Sequence, residues 1–225
     1  MSASFSSGPG QIILSAPCPE PLNAPTDDDV ILYHQVWRAL RKGSPTRAAL
    51  PPEIVLYITK FAGWMLPNRG RTVKATDTVF VGRCLTQWGP KPMKASKRWF
   101  ASEPFTEVEV GNIAALQLIT VSRDNNWTTR NPSGRFSWFE VAIERQGLLV
   151  PQLQWKSHHN DRLTNVMTRV EGAIVPAPCA GLQVSDIITV WPYAQPAAWS
   201  NEAEWGELRF YNWFQPVIPL RIGES

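Results

Sequence analysis

The chain has 225 residues, room for one large domain plus a small helical segment or for two modest domains. Its 11 Trp and 20 Pro, with only 18% charged residues, describe a chain with a real core and many turns and strand edges. The formal charge is +3, and the widely spaced Cys18, Cys84 and Cys179 with no Cys/His cluster exclude a disulfide scaffold and a zinc module.

Residues 1–25, rich in Ser, Gly, Pro and Ala, read as a disordered leader. Ile12, Ile13 and Leu14 are too few for a signal sequence, and no later run is long enough to span a membrane. The expectation is a reducing cytoplasmic or nuclear setting, not secretion, so the Asn126-Trp127-Thr128 acceptor triplet would go unused.

At Thr26 the character changes. Thr26 can cap a helix, Asp27, Asp28 and Asp29 fill its first turn, and Arg38, Arg41 and Lys42 fill its last before Gly43. Val30, Tyr33, Trp37 and Leu40 fall on one face, so a helix is expected over 27–42. A second opens at Pro51-Pro52-Glu53, with Ile54, Ile58, Phe61 and Met65 as its apolar stripe and Gly63 and Pro67 bounding its end. Neither is stable alone, so the two should pair or lie against the rest of the protein. Residues 26–70 are taken as this two-helix segment and 71–225 as a β domain. Residues 37–99 carry 13 Lys and Arg against Glu53 and Asp77. That stretch is a solvated face or a surface for an anionic partner, and nucleic acid is not the expected one.

From Thr72 the period shifts towards two. Strands are expected near 78–86, 105–110, 114–122, 135–145, 148–156, 166–174, 185–194 and 206–215, separated by turn signals such as Asn131-Pro132 and Ser133-Gly134. Short strands at this spacing without intervening helices read as a sandwich or barrel rather than a parallel α/β sheet, and the expectation is a mainly β protein, an antiparallel β-sandwich preceded by a short two-helix segment. Within 135–145, Phe139, Val141 and Ile143 form a core face. Trp138 and Glu140 lie opposite, either flanking a ligand or serving as ordinary cross-strand partners.

The loop 122–134 holds Arg123, Asp124, Asn125, Asn126, Trp127 and Arg130. Bidentate polar groups beside an indole suit a sugar-like ligand, whose ring stacks while its hydroxyls are read. The same residues could instead turn the chain and plug the sandwich end. His158, His159, Asn160 and Asp161 form a compact polar cluster, read as an exposed turn. Adjacent histidines on a strand point to opposite faces, so the pair does not chelate a metal, and neither metal nor cofactor is expected. In the aromatic segment near the C-terminus, Leu208, Phe210 and Phe214 share one face and Arg209, Tyr211 and Trp213 the other, implying burial on both sides or an exposed patch.

The run Leu50-Pro51-Pro52-Glu53-Ile54-Val55 through Phe61-Ala62 resembles the opening of an F-box. That resemblance implies a weak docking segment at 50–65 for a Skp1-like ubiquitin-ligase adaptor. The ordered motifs SRDNNW, SWFEVAI, WKSHHN and AAWSNEAEWGEL, over roughly 110–215, resemble the C-terminal domain of an uncharacterised fungal, mushroom-type family. The pattern looks like a galactose-binding-like jelly roll and implies, loosely, a ligand-binding role.

Three functions follow as expectations. The first is a non-catalytic binding protein for a carbohydrate-like small ligand or a protein partner. Its surface comprises Arg123, Asp124, Trp127, His158, Asn160, Trp199 and Asn201. The second is an F-box-like adaptor whose β domain recognises a client. The third is a small enzyme with a cleft at the sandwich end, which requires His158 or His159 to face Asp124 or Glu140.

Overall fold

The computed structural model describes residues 22–82, 95–124, 136–160, 166–177, 181–195 and 199–216. Helix α1 (Asp27–Lys42) matches its sequence signals at both ends. Thr26 accepts the Asp29 N–H at 3.2 Å while the Asp29 carboxylate takes the Thr26 N–H at 2.8 Å, a reciprocal capping box. Gly43 ends the helix at φ +68°, and a Cβ there would sit 2.7 Å from backbone atoms of Arg47 and Ala49. The turn therefore requires glycine. The expected face docks: Tyr33 stacks on Trp64 at 4.5 Å and meets Phe214 edge-on, with Val30, Trp37 and Leu40 half-buried beside it.

Helix α2 (Pro52–Phe61) starts on proline, as expected, but presents a different face to the protein. Val55 and Thr59 are sealed, whereas Ile54, Ile58 and Phe61 of the predicted inward stripe are exposed. Met65, the fourth member of that stripe, is buried but belongs to a strand. The apolar period is that of a helix, yet its stripe faces away from the body.

Strands β1 (Met65–Lys74), β2 (Val79–Gly82), β3 (Ala95–Ser96) and β4 (Phe100–Ala101) follow. Helix α3 (Glu107–Asn112) precedes β5 (Ile113–Asp124), β6 (Ser137–Arg145), β7 (Leu148–His159), β8 (Thr168–Glu171), β9 (Val175–Pro176), β10 (Ile187–Ala194) and β11 (Ser200–Trp213). The expected strand at 105–110 is corrected to α3. Its alternating FTEVEV loses to a second capping box, in which Glu109 takes the Thr106 N–H at 2.8 Å and Thr106 caps the Glu109 N–H. β1 begins earlier than the change of period at Thr72. Pro67 and an irregularity between Pro67 and Thr72 break its pattern, and its edge position tolerates the missing N–H.

All strand pairs are antiparallel. One sheet runs β1-β11-β5-β8, with β2 also on β11 and β9 also on β5; the other runs β3-β10-β6-β7, with β4 also on β10. Taking β1 with β2, β3 with β4 and β8 with β9 as interrupted single strands leaves two sheets of four positions, and the chain crosses between them at every step except the β6–β7 hairpin. That is jelly-roll order. The sheets face each other across Leu116 and Leu118 of β5, Leu208 and Phe210 of β11, Phe139, Val141 and Ile143 of β6, and Ile188 and Val190 of β10. The expected core face of 135–145 is this one. A smaller cluster of Met65, Ala114, Ala115, Ile174 and Tyr211, with Trp213 against it, buries the other side of the first sheet. Aromatics on both faces of β11 therefore mean burial on both sides there.

Candidate functional site

The strand ends where the sequence places polar readers form a buried seam between the sheets. Thr120 and Ser122 point inward from β5, and their hydroxyls lie 2.9 Å apart. His158, from the facing sheet, brings Nε2 to 2.9 Å from Thr120 Oγ1, with Ser157 Oγ 2.9 Å from its Nδ1. Ser122 donates to Asn160 Oδ1 at 2.8 Å. Asn160 Nδ2 lies 3.0 Å from the Arg123 carbonyl, from Ser137 Oγ and from Asn201 Oδ1. Asn201 in turn donates to the carbonyls of Trp138 (3.0 Å) and Tyr193 (3.2 Å). Asn201 is 0% exposed and Asn160 6%. These carboxamides satisfy one another and the backbone, which is what burial of polar groups demands.

The predicted surface therefore divides. His158, Asn160 and Asn201 come together, with Arg123 contributing its carbonyl, but in the interior. The Arg123 guanidinium turns to the outer face of the first sheet, where Nε and Nη2 both reach Glu202 Oε2, at 2.9 and 2.8 Å. Asp124 is half-buried opposite Asn201 in the β5–β11 ladder. Trp199 is buried with its ring 4.6 Å from Phe136. Trp127 lies outside the described residues, as do Asn125, Asn126, Arg130 and Asp161. The histidines end β7 rather than forming an exposed turn. His158 faces inward and His159 pairs with Trp138 on the outside, as strand alternation requires.

Burial holds the His158 imidazole down to about 4, reinforced by the neighbouring His159, so it is neutral at ordinary pH. Its hydrogen-bond partners are the hydroxyls of Thr120 and Ser157, whereas the enzyme reading looks for a carboxylate facing a histidine.

On the outer face of the second sheet, Trp138 and Tyr193 are register partners whose rings stack at 5.4 Å and 7°. Trp138 Nε1 donates to Glu140 at 2.6 Å, Gln154 donates to the same carboxylate, and the Lys156 ammonium sits 4.6 Å from the Trp138 ring. Burial, and the Glu140 charge after it, push the Tyr193 phenol up to about 12. These contacts link adjacent strands, the ordinary cross-strand reading of Trp138 and Glu140.

The surface that sequence reasoning misjudged is α2. Tyr57 is 70% and Phe61 88% exposed, with Ile54 and Ile58 exposed on the same stripe. The signal was the period itself; what it could not give was the side on which the helix docks. Among the described residues no group of His, Cys, Asp and Glu could hold a metal, and no helix is long and apolar enough to cross a membrane. No protein-family model, curated protein or solved structure matches the chain.

Proposed function

We propose that this is a non-catalytic binding protein that docks a protein partner through α2, with the jelly roll as its scaffold. The observation that carries this reading is the solvent-facing stripe Ile54, Tyr57, Ile58 and Phe61 on a helix already anchored through Val55 and Thr59. Four large apolar side chains one turn apart form a patch of the kind that marks an interface, and aromatics supply most of the energy at such surfaces. The partner offers an apolar groove. Between residues 37 and 64 the exposed cations Arg38, Lys42, Arg47 and Lys60 outnumber Glu53, which suits an acidic rim on that groove. The F-box-like residues Leu50 to Ala62 contain this stripe, so a Skp1-like adaptor is the partner to test first.

The test is calorimetric titration of the full chain with a purified Skp1-like adaptor, beside Phe61→Asp and Tyr57→Asp. Expected is saturable binding that each substitution weakens about 30-fold or more, the scale of an interface hot spot. Absence of binding by folded wild type removes the adaptor reading. Concentration-dependent dimerisation abolished by Phe61→Asp would instead assign the stripe to a second copy of this chain.

A further inference from the structure

A second surface lies where β1, β11 and the end of α3 meet. Four residues of β1, Asn68 to Arg71, stand opposite Phe210 alone, because Pro67 pairs with Tyr211 and Thr72 already pairs with Arg209. Bulges of this sort re-aim side chains out of the pleat. Here the bulge is fastened from both ends. Asn68 Oδ1 accepts the N–H groups of Gly70 and Arg71, each at 3.1 Å. The Arg71 guanidinium turns inward over Phe105 (4.3 Å) and Phe210 (5.1 Å), pairs with Glu109, and donates to the Glu103 carbonyl at 3.2 Å. Arg71 is thereby consumed by the fold. Arg69, two residues earlier, is left exposed and makes no ion pair among the described residues.

The result is a groove of about 310 Å³ walled by the half-buried Trp213 indole and lined by Asn68, Arg69, Asn112, Asn212 and Gln215 with an apolar floor. No carboxylate lines it. Gln215 Nε2 donates to Asn112 Oδ1 at 2.7 Å, which fixes both amides and leaves the Asn112 NH₂ as donor and the Gln215 carbonyl as acceptor. Asn212, another carboxamide of the lining, has its Oδ1 buried behind the groove surface with no hydrogen-bond partner.

We propose that this groove binds a small polyhydroxylated anion of the hexuronate type. Carboxamides both donate and accept, as a ring of hydroxyls requires, and the half-buried Trp213 indole, with the Lys60 ammonium 5.6 Å from its ring centroid, adds an apolar wall beside a second cation. One unpaired guanidinium with no competing carboxylate selects a single negative charge and binds it bidentately. The volume is at the small end for ligand sites and suits one ring rather than a chain. None of these residues belongs to the exposed α2 stripe; Trp213 and Gln215 also border Tyr57 and Lys60, so Arg69, which does not, is the residue that separates this site from the docking reading.

The experiment is saturation-transfer NMR and calorimetry on the full chain with D-glucuronate, D-glucose and acetate in parallel. It is repeated on Arg69→Gln, Trp213→Leu and, as a control, Phe61→Asp. Expected is binding of D-glucuronate at least tenfold tighter than of D-glucose or acetate, a tenfold or greater loss in Arg69→Gln, and no change in Phe61→Asp. Arg69 is exposed and outside both core clusters, so the result for Arg69→Gln stands even if Trp213→Leu fails to fold. Undetectable binding of D-glucuronate to folded wild type overturns the proposal. So does unchanged affinity in Arg69→Gln, or acetate binding as tightly as D-glucuronate.

Discussion

Asparagine at a strand end can read a ligand or close a core, and the choice depends on which way the pleat turns it. Asn201 and Asn160 turn inward, and their carboxamides replace water with one another and with the carbonyls of Trp138, Tyr193 and Arg123. Replacing Asn201 by Leu leaves the Asn160 amide with Arg123 O and Ser137 Oγ as its acceptors but strips the buried Trp138 and Tyr193 carbonyls of their Asn201 donor. The expected loss is about 2–3 kcal/mol, read from urea denaturation at constant slope. Arg123→Gln is the contrast, because its ion pair with Glu202 is more than a third exposed on both sides. That substitution costs less than about 1 kcal/mol. Equal losses in the two variants would mean that the seam is no more than a surface network.

Elements were legible wherever their signals were local. α1 was readable because its cap, its charge order and its terminating glycine all lie within the segment that they define. α3 was misread because a six-residue alternation and a Thr106-x-x-Glu109 capping box compete over the same stretch, and hydrogen bonds to otherwise orphaned N–H groups decide it. Thr106→Ala accordingly costs about 1 kcal/mol, measured as a fall in the denaturation midpoint, with Thr106→Ser close to wild type. β1 was obscured because Pro67 and the bulge after it erase the alternation that marks a strand. For α2 the helix was legible and its orientation was not: Val55 and Thr59 face the body only because of where the chain enters β1 at Met65. The candidate site was hidden for the same reason. That His158 meets Thr120, and Asn160 meets Asn201, is a consequence of strand order across two sheets, which no spacing in the sequence encodes.

At the scale of the whole molecule, the seam ties the two sheets together at a point where one member can acquire a charge. His158 of the second sheet contacts Thr120 of the first, and Phe139, 5.1 Å away ring to ring, makes its other side apolar. The imidazole titrates near 4 in the folded protein, against an ordinary 6.5. A depressed folded value means that the unfolded chain takes up this proton first. Stability is therefore level above about pH 6.5, declines as pH falls through the window towards 4, and levels again below it as regards this group. The full difference is about 3 kcal/mol. Asp186 acts lower down. Burial alone would raise its carboxyl, but hydrogen bonds from Arg145 and the Gln183 N–H, with the Arg145 charge, outweigh burial and hold it below 3.8. Its contribution is lost only beneath the histidine window, so the two are separable. Urea midpoints for wild type and His158→Gln between pH 7.5 and 4 test the assignment. Gln keeps a hydrogen-bonding group near Thr120 and cannot titrate, so the variant should be weaker at pH 7.5 yet lose little more on acidification to 4. An acid decline as steep in His158→Gln as in wild type would move the titrating group elsewhere, and the seam would then hold the sheets together without sensing protons.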